Sequence, residues 1–282
     1  MASYGIVVSQ FLFLIVLWIG TATCCVLIFK RNTTRVFFKN SPTLFVIFAV
    51  LSCLAVNYMF FLIPWIIFIS TGVGPEIGNA AIVFGIATIC VQTIYDLFTI
   101  VLFIQRSAII IAPLRSKRML NRILYVLASL IAVFPFFYYS VLYARVIDFN
   151  LAPTSAGCFT MGCSEPLSQE RSALDTGFFL ASANVVVGAV FVTLLLRRKV
   201  PAGHNASKVN QVTRFLFFTR LFLEVIPLTF DIIFNLKTGM TISYYIGPFG
   251  MLGSSLEEFL FVVVYFVLFR PKIKAVQVST TQ

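Results

Sequence analysis

The sequence predicts an all-α integral membrane protein, a bundle of seven transmembrane helices. Of its 282 residues, 60% are hydrophobic and only 11% are charged, and its mean hydropathy is +0.98, which excludes a soluble globular protein. Apolar stretches of about 20 residues, enough to cross a bilayer, recur along the whole chain. We therefore predict a single domain over 1–282, with spans at 6–29, 42–69, 80–104, 122–144, 177–196, 215–236 and 244–269.

The first span begins at Ile6, ends at Phe29 and is followed at once by Lys30 and Arg31. A cleaved signal peptide is the alternative, because the small residues Thr21-Ala22-Thr23 resemble a cleavage site. However, no lysine or arginine precedes the apolar run, and the run is longer than the apolar region of a usual signal peptide. We therefore expect a retained first helix.

Later spans contain prolines that bend a helix and, in one case, polar residues on one helical face. Pro64, Pro135 and Pro227 lie inside the second, fourth and sixth spans, where proline bends a helix. In the third span, Gln92, Asp96 and Thr99 follow i, i+4 and i+7 spacing, which places them on one helical face. This face is expected to point into the bundle.

The positive charges predict the orientation. Sixteen of the 21 lysines and arginines fall in three alternate loops and in the carboxyl-terminal tail. By the positive-inside rule, these segments are cytoplasmic, the amino terminus is outside and the carboxyl terminus is inside. The net charge of +11 thus arises from short basic runs in the cytoplasmic loops and tail, and we expect no nucleic-acid partner. The sequons at Asn32 and Asn205 are cytoplasmic in this orientation and are predicted to stay unglycosylated.

The third span ends in a basic segment. Arg106 follows Gln105 at the helix foot, and a short apolar stretch leads to Pro113, Leu114 and a basic loop. Seven-helix receptors present their third helix and second inner loop to a G protein in this layout. We therefore assign G-protein coupling to Gln105, Arg106, Pro113 and Leu114. In the alternative interpretation, Arg106 only extends its side chain to the lipid headgroups.

Ionisable residues inside spans are costly and tend to face partners, water or a functional site. Arg220 and Glu224 are four residues apart, so they are expected to pair on one helix. Glu257 and Glu258 are adjacent, about 100° apart around a helix, so at most one is expected to point squarely inward. We hypothesise a polar cluster that joins Asp96 to Glu257; the alternative is two neutral acids in separate niches.

The outer half of the bundle is the expected site for a small ligand. Aromatic walls with few polar groups suit a small organic molecule. Two alternatives stay open: Asp231 is simply solvated near the outer end of its helix, and Tyr244 and Tyr245 anchor the protein at the membrane interface. The candidate ligand-binding residues are Gln92, Tyr95, Asp96, Asp231, Tyr244 and Tyr245.

The sequence offers little for catalysis. The single histidine, His204, has no cysteine, histidine or carboxylate neighbour in sequence, so we expect no metal site and no cofactor. No catalytic motif favours an enzyme. A ligand-gated ion channel or small-solute transporter remains the alternative to a receptor, because buried acids also serve ion passage. No internal repeat or pair of discontinuous helices is visible.

Four stretches of the chain are similar to motifs of one receptor family. They are Gln105-Arg106 through Pro113; Ala156-Gly157-Cys158-Phe-Thr-Met-Gly162-Cys163; Lys208-Val-Asn210-Gln-Val-Thr-Arg214 running to Val225-Ile-Pro227; and Ile246-Gly247-Pro248-Phe249-Gly250. Together they resemble the nematode serpentine chemoreceptors, most closely the class Srbc. The resemblance extends from the third to the seventh span.

The resemblance implies a chemosensory receptor in the plasma membrane of a sensory cilium. Such a receptor detects a small external molecule, such as an odorant or pheromone, and signals through a heterotrimeric G protein; homo- and hetero-oligomers both stay open. Family members commonly carry an acid before the arginine, and Gln105 replaces it here. The ionic restraint on Arg106 is then either missing, which would raise basal activity, or supplied by another residue. A local disulfide between Cys158 and Cys163 is expected, with free thiols as the alternative. The seventh span has no Asn-Pro-x-x-Tyr pattern and no lysine for a retinal Schiff base.

Overall fold

A computed structural model describes residues 4–31, 42–71, 75–111, 117–144, 172–198, 204–238 and 242–269. The described residues are helical and contain seven helices and no strand. The helices are α1 (Tyr4–Arg31), α2 (Pro42–Thr71), α3 (Pro75–Ile111), α4 (Lys117–Ala144), α5 (Ser172–Arg197), α6 (His204–Arg220, Leu221–Val225 and Ile226–Thr238) and α7 (Ser243–Ile246 and Phe249–Leu268).

Five of these helices are long and apolar enough to cross a bilayer: α1, α2, α3, α5 and α7. The prediction of a helical membrane protein is therefore confirmed in part. Within the residues that the structure describes, α4 and α6 are not among these candidate spans. In α6, the helix is interrupted by a π-helical turn and carries charged residues along its length. The count of seven spans and the orientation of the chain stay predictions.

The helices pack around α3. This helix lies against α2, α4, α5 and α6, while α1 closes the bundle between α2 and α7. Aromatic pairs fill the interior: the rings of Trp18 and Tyr58 stack with centroids 4.3 Å apart, and those of Phe48 and Phe261 stack at 5.5 Å. Large apolar side chains also point outward, as a lipid-facing surface requires. Examples are Val16, Val133, Phe137, Val186 and Phe230.

The helices extend beyond the predicted spans at the ends of α3 and α6. Residues 80–104 were expected for the third span, and the helix reaches from Pro75 to Ile111. Residues 215–236 were expected for the sixth, and α6 begins at His204. Hydropathy marks only the part of a helix that is apolar, whereas backbone hydrogen bonding continues into polar segments. Gln105 and Arg106 therefore lie within α3.

The structure corrects the prediction of a continuous seventh span over 244–269. A first turn, Ser243–Ile246, is separated from the main helix, Phe249–Leu268, at Gly247 and Pro248. Gly247 adopts φ +86, a conformation that side chains other than glycine's rarely tolerate. The side chain of Gln10 on α1 covers this break, and its Nε2 donates to the backbone oxygen of Ile246 at 2.8 Å.

Candidate functional site

The guanidinium of Arg220 lies at the centre of the bundle and is 1% exposed. Its Nε donates to Oε2 of Glu224 at 2.6 Å on the same helix, so the predicted ion pair within α6 is confirmed. Its Nη2 donates to Oδ1 of Asp96 on α3. Two carboxylates from different helices thus share one buried cation, which is how charges persist in an apolar interior.

A tyrosine extends this arrangement to α7. The hydroxyl of Tyr95 donates to Oε1 of Glu257 at 3.0 Å. The Cζ atom of Arg220 lies 5.0 Å from the centroid of the Tyr95 ring, within the range of a cation–π contact. Asp96 and Glu257 are therefore joined through Arg220 and Tyr95, and the hypothesised polar cluster is confirmed. We call Tyr95, Asp96, Arg220, Glu224, Glu257 and Glu258 the charge cluster.

The two adjacent acids of α7 are both fully buried. Glu257 and Glu258 each have 0% exposure, so both are covered by protein even though their directions around the helix differ by about 100° and at most one can point squarely inward. The reason is that α7 is covered by α1 on one side and by α6 on another, so faces 100° apart both meet protein. Glu258 lies beside Tyr58 and Gln92. The side chain of Gln92 is its hydrogen-bonding neighbour, but neither carboxylate oxygen of Glu258 makes a contact of ordinary hydrogen-bond geometry with another described residue.

Further polar residues surround the cluster and were not singled out from the sequence. The Nδ2 of Asn184 on α5 donates to the backbone oxygen of Asp96 at 3.2 Å. The Nε1 of Trp18 on α1 donates to Oγ of Ser255 on α7 at 3.0 Å. The sequence could have marked Asn184 as a buried polar residue, because it is an amide within an apolar span. It could not have marked Trp18 or Ser255, since tryptophan and serine are common in such spans.

The candidate ligand-binding residues separate into two groups. Gln92, Tyr95 and Asp96 lie at or beside the charge cluster. Asp231, in contrast, accepts a hydrogen bond from the backbone N–H of Ile242 at 2.7 Å and thereby fixes the turn between α6 and α7. It is 11 residues beyond Arg220, about 16 Å along the helix at about 1.5 Å per residue.

The other outer candidates are the two tyrosines at the start of α7. Tyr245 is 42% exposed, and its ring meets Phe234 edge-on with centroids 5.6 Å apart. The side chain of Tyr244 lies outside the described residues. The structure therefore brings Gln92, Tyr95 and Asp96 together, but it does not bring Asp231 or Tyr245 to them.

At the carboxyl-terminal end of α3, the two candidate coupling residues differ. Gln105 is buried, and its Oε1 accepts a hydrogen bond from Oγ1 of Thr43 on α2 at 2.8 Å. Arg106 is half-buried, and no described residue serves as a hydrogen-bond partner for its Nε. Pro113 and Leu114 lie outside the described residues.

The predicted cysteine chemistry is tested only in part. Cys158 and Cys163, the pair expected to form a disulfide, lie outside the described residues. Four others, Cys24, Cys25, Cys53 and Cys90, are free thiols on α1, α2 and α3. Across the described ranges, no set of three or more histidine, cysteine or carboxylate side chains is arranged to hold a metal ion.

The geometry favours a conformational role for the charge cluster. Four carboxyl groups and one guanidinium are contributed by three helices. The contacts between helices, Arg220 with Asp96 and Tyr95 with Glu257, are lost when one helix moves away from the other. Breaking a buried pair leaves an uncompensated charge, which is strongly unfavourable. Such a cluster therefore favours discrete arrangements of the helices over continuous deformation.

No family model, curated protein or solved structure matches the chain.

Proposed function

We propose that the chain is a seven-transmembrane chemoreceptor that detects a small external molecule and activates a heterotrimeric G protein. In this proposal the amino terminus is outside the plasma membrane and the basic inner loops face the cytosol. The observation that carries the proposal is the charge cluster, because it links α3, α6 and α7 in the middle of the bundle. A signal received on one side of a membrane needs such a linked set of helices to reach the other side.

The inner end of α3 supports the coupling role of Arg106. The side chain of Gln105 is turned to α2 by its hydrogen bond with Thr43, and the Nε of Arg106 has no hydrogen-bond partner in the described part of the chain. A half-buried donor without an acceptor is costly in the free protein. An acceptor brought by a partner protein would satisfy it. The absence of an acid before Arg106 also favours activity without ligand.

The test uses the full-length chain in cultured cells. Activation of each class of Gα subunit is followed by energy transfer between labelled Gα and Gβγ, first without added ligand and then with a panel of small volatile organic molecules. We expect a ligand-independent signal from the parent chain and its loss in Arg106→Ala at equal surface expression. The control is Lys237→Ala, which removes a positive charge from the opposite, outer end of α6.

Two outcomes would contradict the proposal. One is an unchanged signal in Arg106→Ala, which would leave Arg106 with no role beyond reaching the headgroups. The other is the failure of the parent chain to activate any Gα class under either condition.

A second candidate function rests on Glu257 and Glu258. Both are fully buried, and the oxygens of Glu258 have no hydrogen-bond partner among the residues described. Acids of this kind mark ion or proton pathways in membrane proteins, so a ligand-gated channel or a small-solute transporter is the alternative. The purified chain in proteoliposomes, without any G protein, would then conduct ions or carry solute. The receptor proposal expects no such flux.

A further inference from the structure

The helix α6 changes its winding directly beside Arg220. Residues Leu221–Val225 form a π-helical turn, and the backbone N–H of Ile226 donates to the oxygen of Leu221. A π turn spaces hydrogen-bonded residues by five and inserts one extra residue into the helix. The α-helical parts on either side, His204–Arg220 and Ile226–Thr238, are therefore out of register with each other by one residue.

Proline gives the π turn a local cause. Pro227 follows the turn and has no N–H, so it cannot donate to the carbonyl of Leu223, its partner in a regular α-helix. Its ring would also clash with that carbonyl. Thr229 supports the same region, because its Oγ1 donates to the backbone oxygen of Val225 at 2.7 Å. The carbonyl of Leu223 is thus displaced from the regular α-helical ladder.

The helix α7 provides the space into which this carbonyl turns. A Cβ atom at Gly253 would collide with the backbone oxygen of Leu223, so the two backbones are in close contact and only glycine fits. Gly253 is four residues before Glu257 and therefore lies on the same face of α7. The contact between Gly253 and Leu223 and the charge cluster belong to one interface between α6 and α7.

We propose that α6 is a register switch, in which the π turn held by Pro227 and Gly253 places Arg220 against Asp96. Conversion of the turn to regular α-helix removes the one-residue offset. The inner part of α6 then rotates by about 100° and shifts by about 1.5 Å relative to the outer part. This movement takes Arg220 away from Asp96 and Tyr95, and it turns a different face of the inner part toward α3 and α5.

A disulfide between α5 and α6 measures this rotation directly. The Cδ2 atom of Phe217 lies where a Cβ atom of Gly188 would stand, so the double variant Gly188→Cys, Phe217→Cys removes the ring and brings two thiols close together. Phe217 is one turn before Arg220 and moves with it. Cross-linking is followed in the full-length chain in membranes, with a mild oxidant, and the linked peptides are identified by mass spectrometry.

The switch is tested by adding Gly253→Ala to this pair of cysteines. The new methyl group excludes the Leu223 carbonyl, so the π turn is lost and the cross-link is lost with it. Gly250→Ala is the matched control, because Gly250 is on the same helix and a Cβ atom there meets no other atom within 4 Å. Pro227→Ala restores the missing N–H, removes the reason for the π turn and is expected to abolish the same cross-link in a folded protein.

Several outcomes would overturn the proposal. Retention of the cross-link in Pro227→Ala contradicts it, whether or not Gly253→Ala folds. Loss of the cross-link in Gly250→Ala would show that the effect is not specific to the contact with Leu223. Failure of the cysteine pair to cross-link in the chain that carries only Gly188→Cys and Phe217→Cys would contradict the placement of α5 against α6, from which the rotation is deduced. None of these outcomes depends on a G protein, so the switch and the receptor proposal are tested separately.

Discussion

Arg220 is the residue on which the interior depends most. It is 1% exposed and is held by Asp96 and Glu224, with Tyr95 against its planar face. A buried guanidinium is stable only while its partners remain, because desolvation otherwise outweighs the attraction between charges. The side chains around Arg220 are therefore expected to respond to mutation as one unit.

We predict that Asp96→Asn destabilises the protein by roughly 3 kcal/mol, the lower end of the cost of breaking a buried ion pair, because Glu224 remains as a second partner. The double variant Asp96→Asn, Arg220→Gln should lose less than the sum of the two single variants, because the contact between Asp96 and Arg220 is then lost only once and no Asp96 carboxylate is left without its cation. Thermal unfolding of the detergent-solubilised protein, followed by size-exclusion chromatography, measures these differences.

The control for this prediction is Asp231→Asn. It makes the same chemical change on α6, but at a partly buried position whose role is to accept one backbone hydrogen bond. A cost of about 1 kcal/mol is expected. If Asp96→Asn cost no more than Asp231→Asn, or if the double variant were additive, the charge cluster would not act as a unit.

The sequence suggested that Asp96 and Glu257 belong to one polar cluster, but it predicted only one specific contact within the cluster, and that contact is local. Arg220 and Glu224 are four residues apart, and helical geometry alone brings them together. The partner of Arg220 on α3 is 124 residues away in sequence, so it depends on which face of α3 packs against α6. The burial of both Glu257 and Glu258 likewise depends on how widely the neighbouring helices cover α7, which helical periodicity does not contain.

At the level of elements, the side chain of Arg198, directly after α5, contacts the carboxyl-terminal end of α3. Nη1 of Arg198 donates to the backbone oxygens of Ile110 and Ile111 at 3.3 and 3.2 Å. These carbonyls belong to the last described turn of α3, and carbonyls at a helix carboxyl end need donors from outside the helix. The positive charge also favours the negative end of the helix dipole.

We predict that Arg198→Ala loosens the last turn of α3. Removal of a cation from a helix carboxyl terminus costs about 0.3 to 1 kcal/mol, which corresponds to a roughly two- to fivefold faster amide exchange in that turn. Hydrogen exchange of peptides that cover residues 104–111 measures it. Arg197→Ala, the exposed neighbour on the same helix, is the matched control. Equal exchange in the two variants would mean that Arg198 does not cap α3.

Two features of the elements show what hydropathy leaves out. The break in α7 was present in the sequence as the turn-forming pair Gly247-Pro248, but the flanking residues are apolar, so the span appeared continuous. The π turn of α6 was harder to predict from the sequence. Pro227 predicted a bend, whereas the choice of a π turn depends on the space that Gly253 leaves on a helix about 30 residues later.

At the level of the whole molecule, the number of crossings decides which end of the bundle is cytoplasmic. The sequence predicts seven spans, and the five helices α1, α2, α3, α5 and α7 meet the length and composition of a span. The helices α4 and α6 are not among these five, so their crossing has to be measured. Each helix that fails to cross would reverse the side of every segment after it.

We predict seven crossings with the amino terminus outside and the carboxyl terminus inside. The measurement uses sequons in flexible Gly/Ser spacers, placed before Met1, between residues 199 and 203, and after Gln282. Glycosylation acts only on the side of the membrane that becomes extracellular. Only the sequon before Met1 should therefore produce a gel shift that glycosidase removes, and the native sequons at Asn32 and Asn205 should produce none.

Each contrary result identifies a different failure of this topology. Shifts from all three sites would mean that α4 does not cross, because every segment after it would then change sides. Shifts from the site between α5 and α6 and from the site after Gln282, without one before Met1, would mean that the whole bundle is inverted. Shifts from the two termini alone would mean that α6 does not cross. Any of these results would place part of the basic inner surface outside the cell and contradict the proposed coupling to a G protein. The register switch in α6 would be unaffected by a simple inversion, because Pro227, Gly253 and Arg220 keep their contacts whichever way the bundle faces.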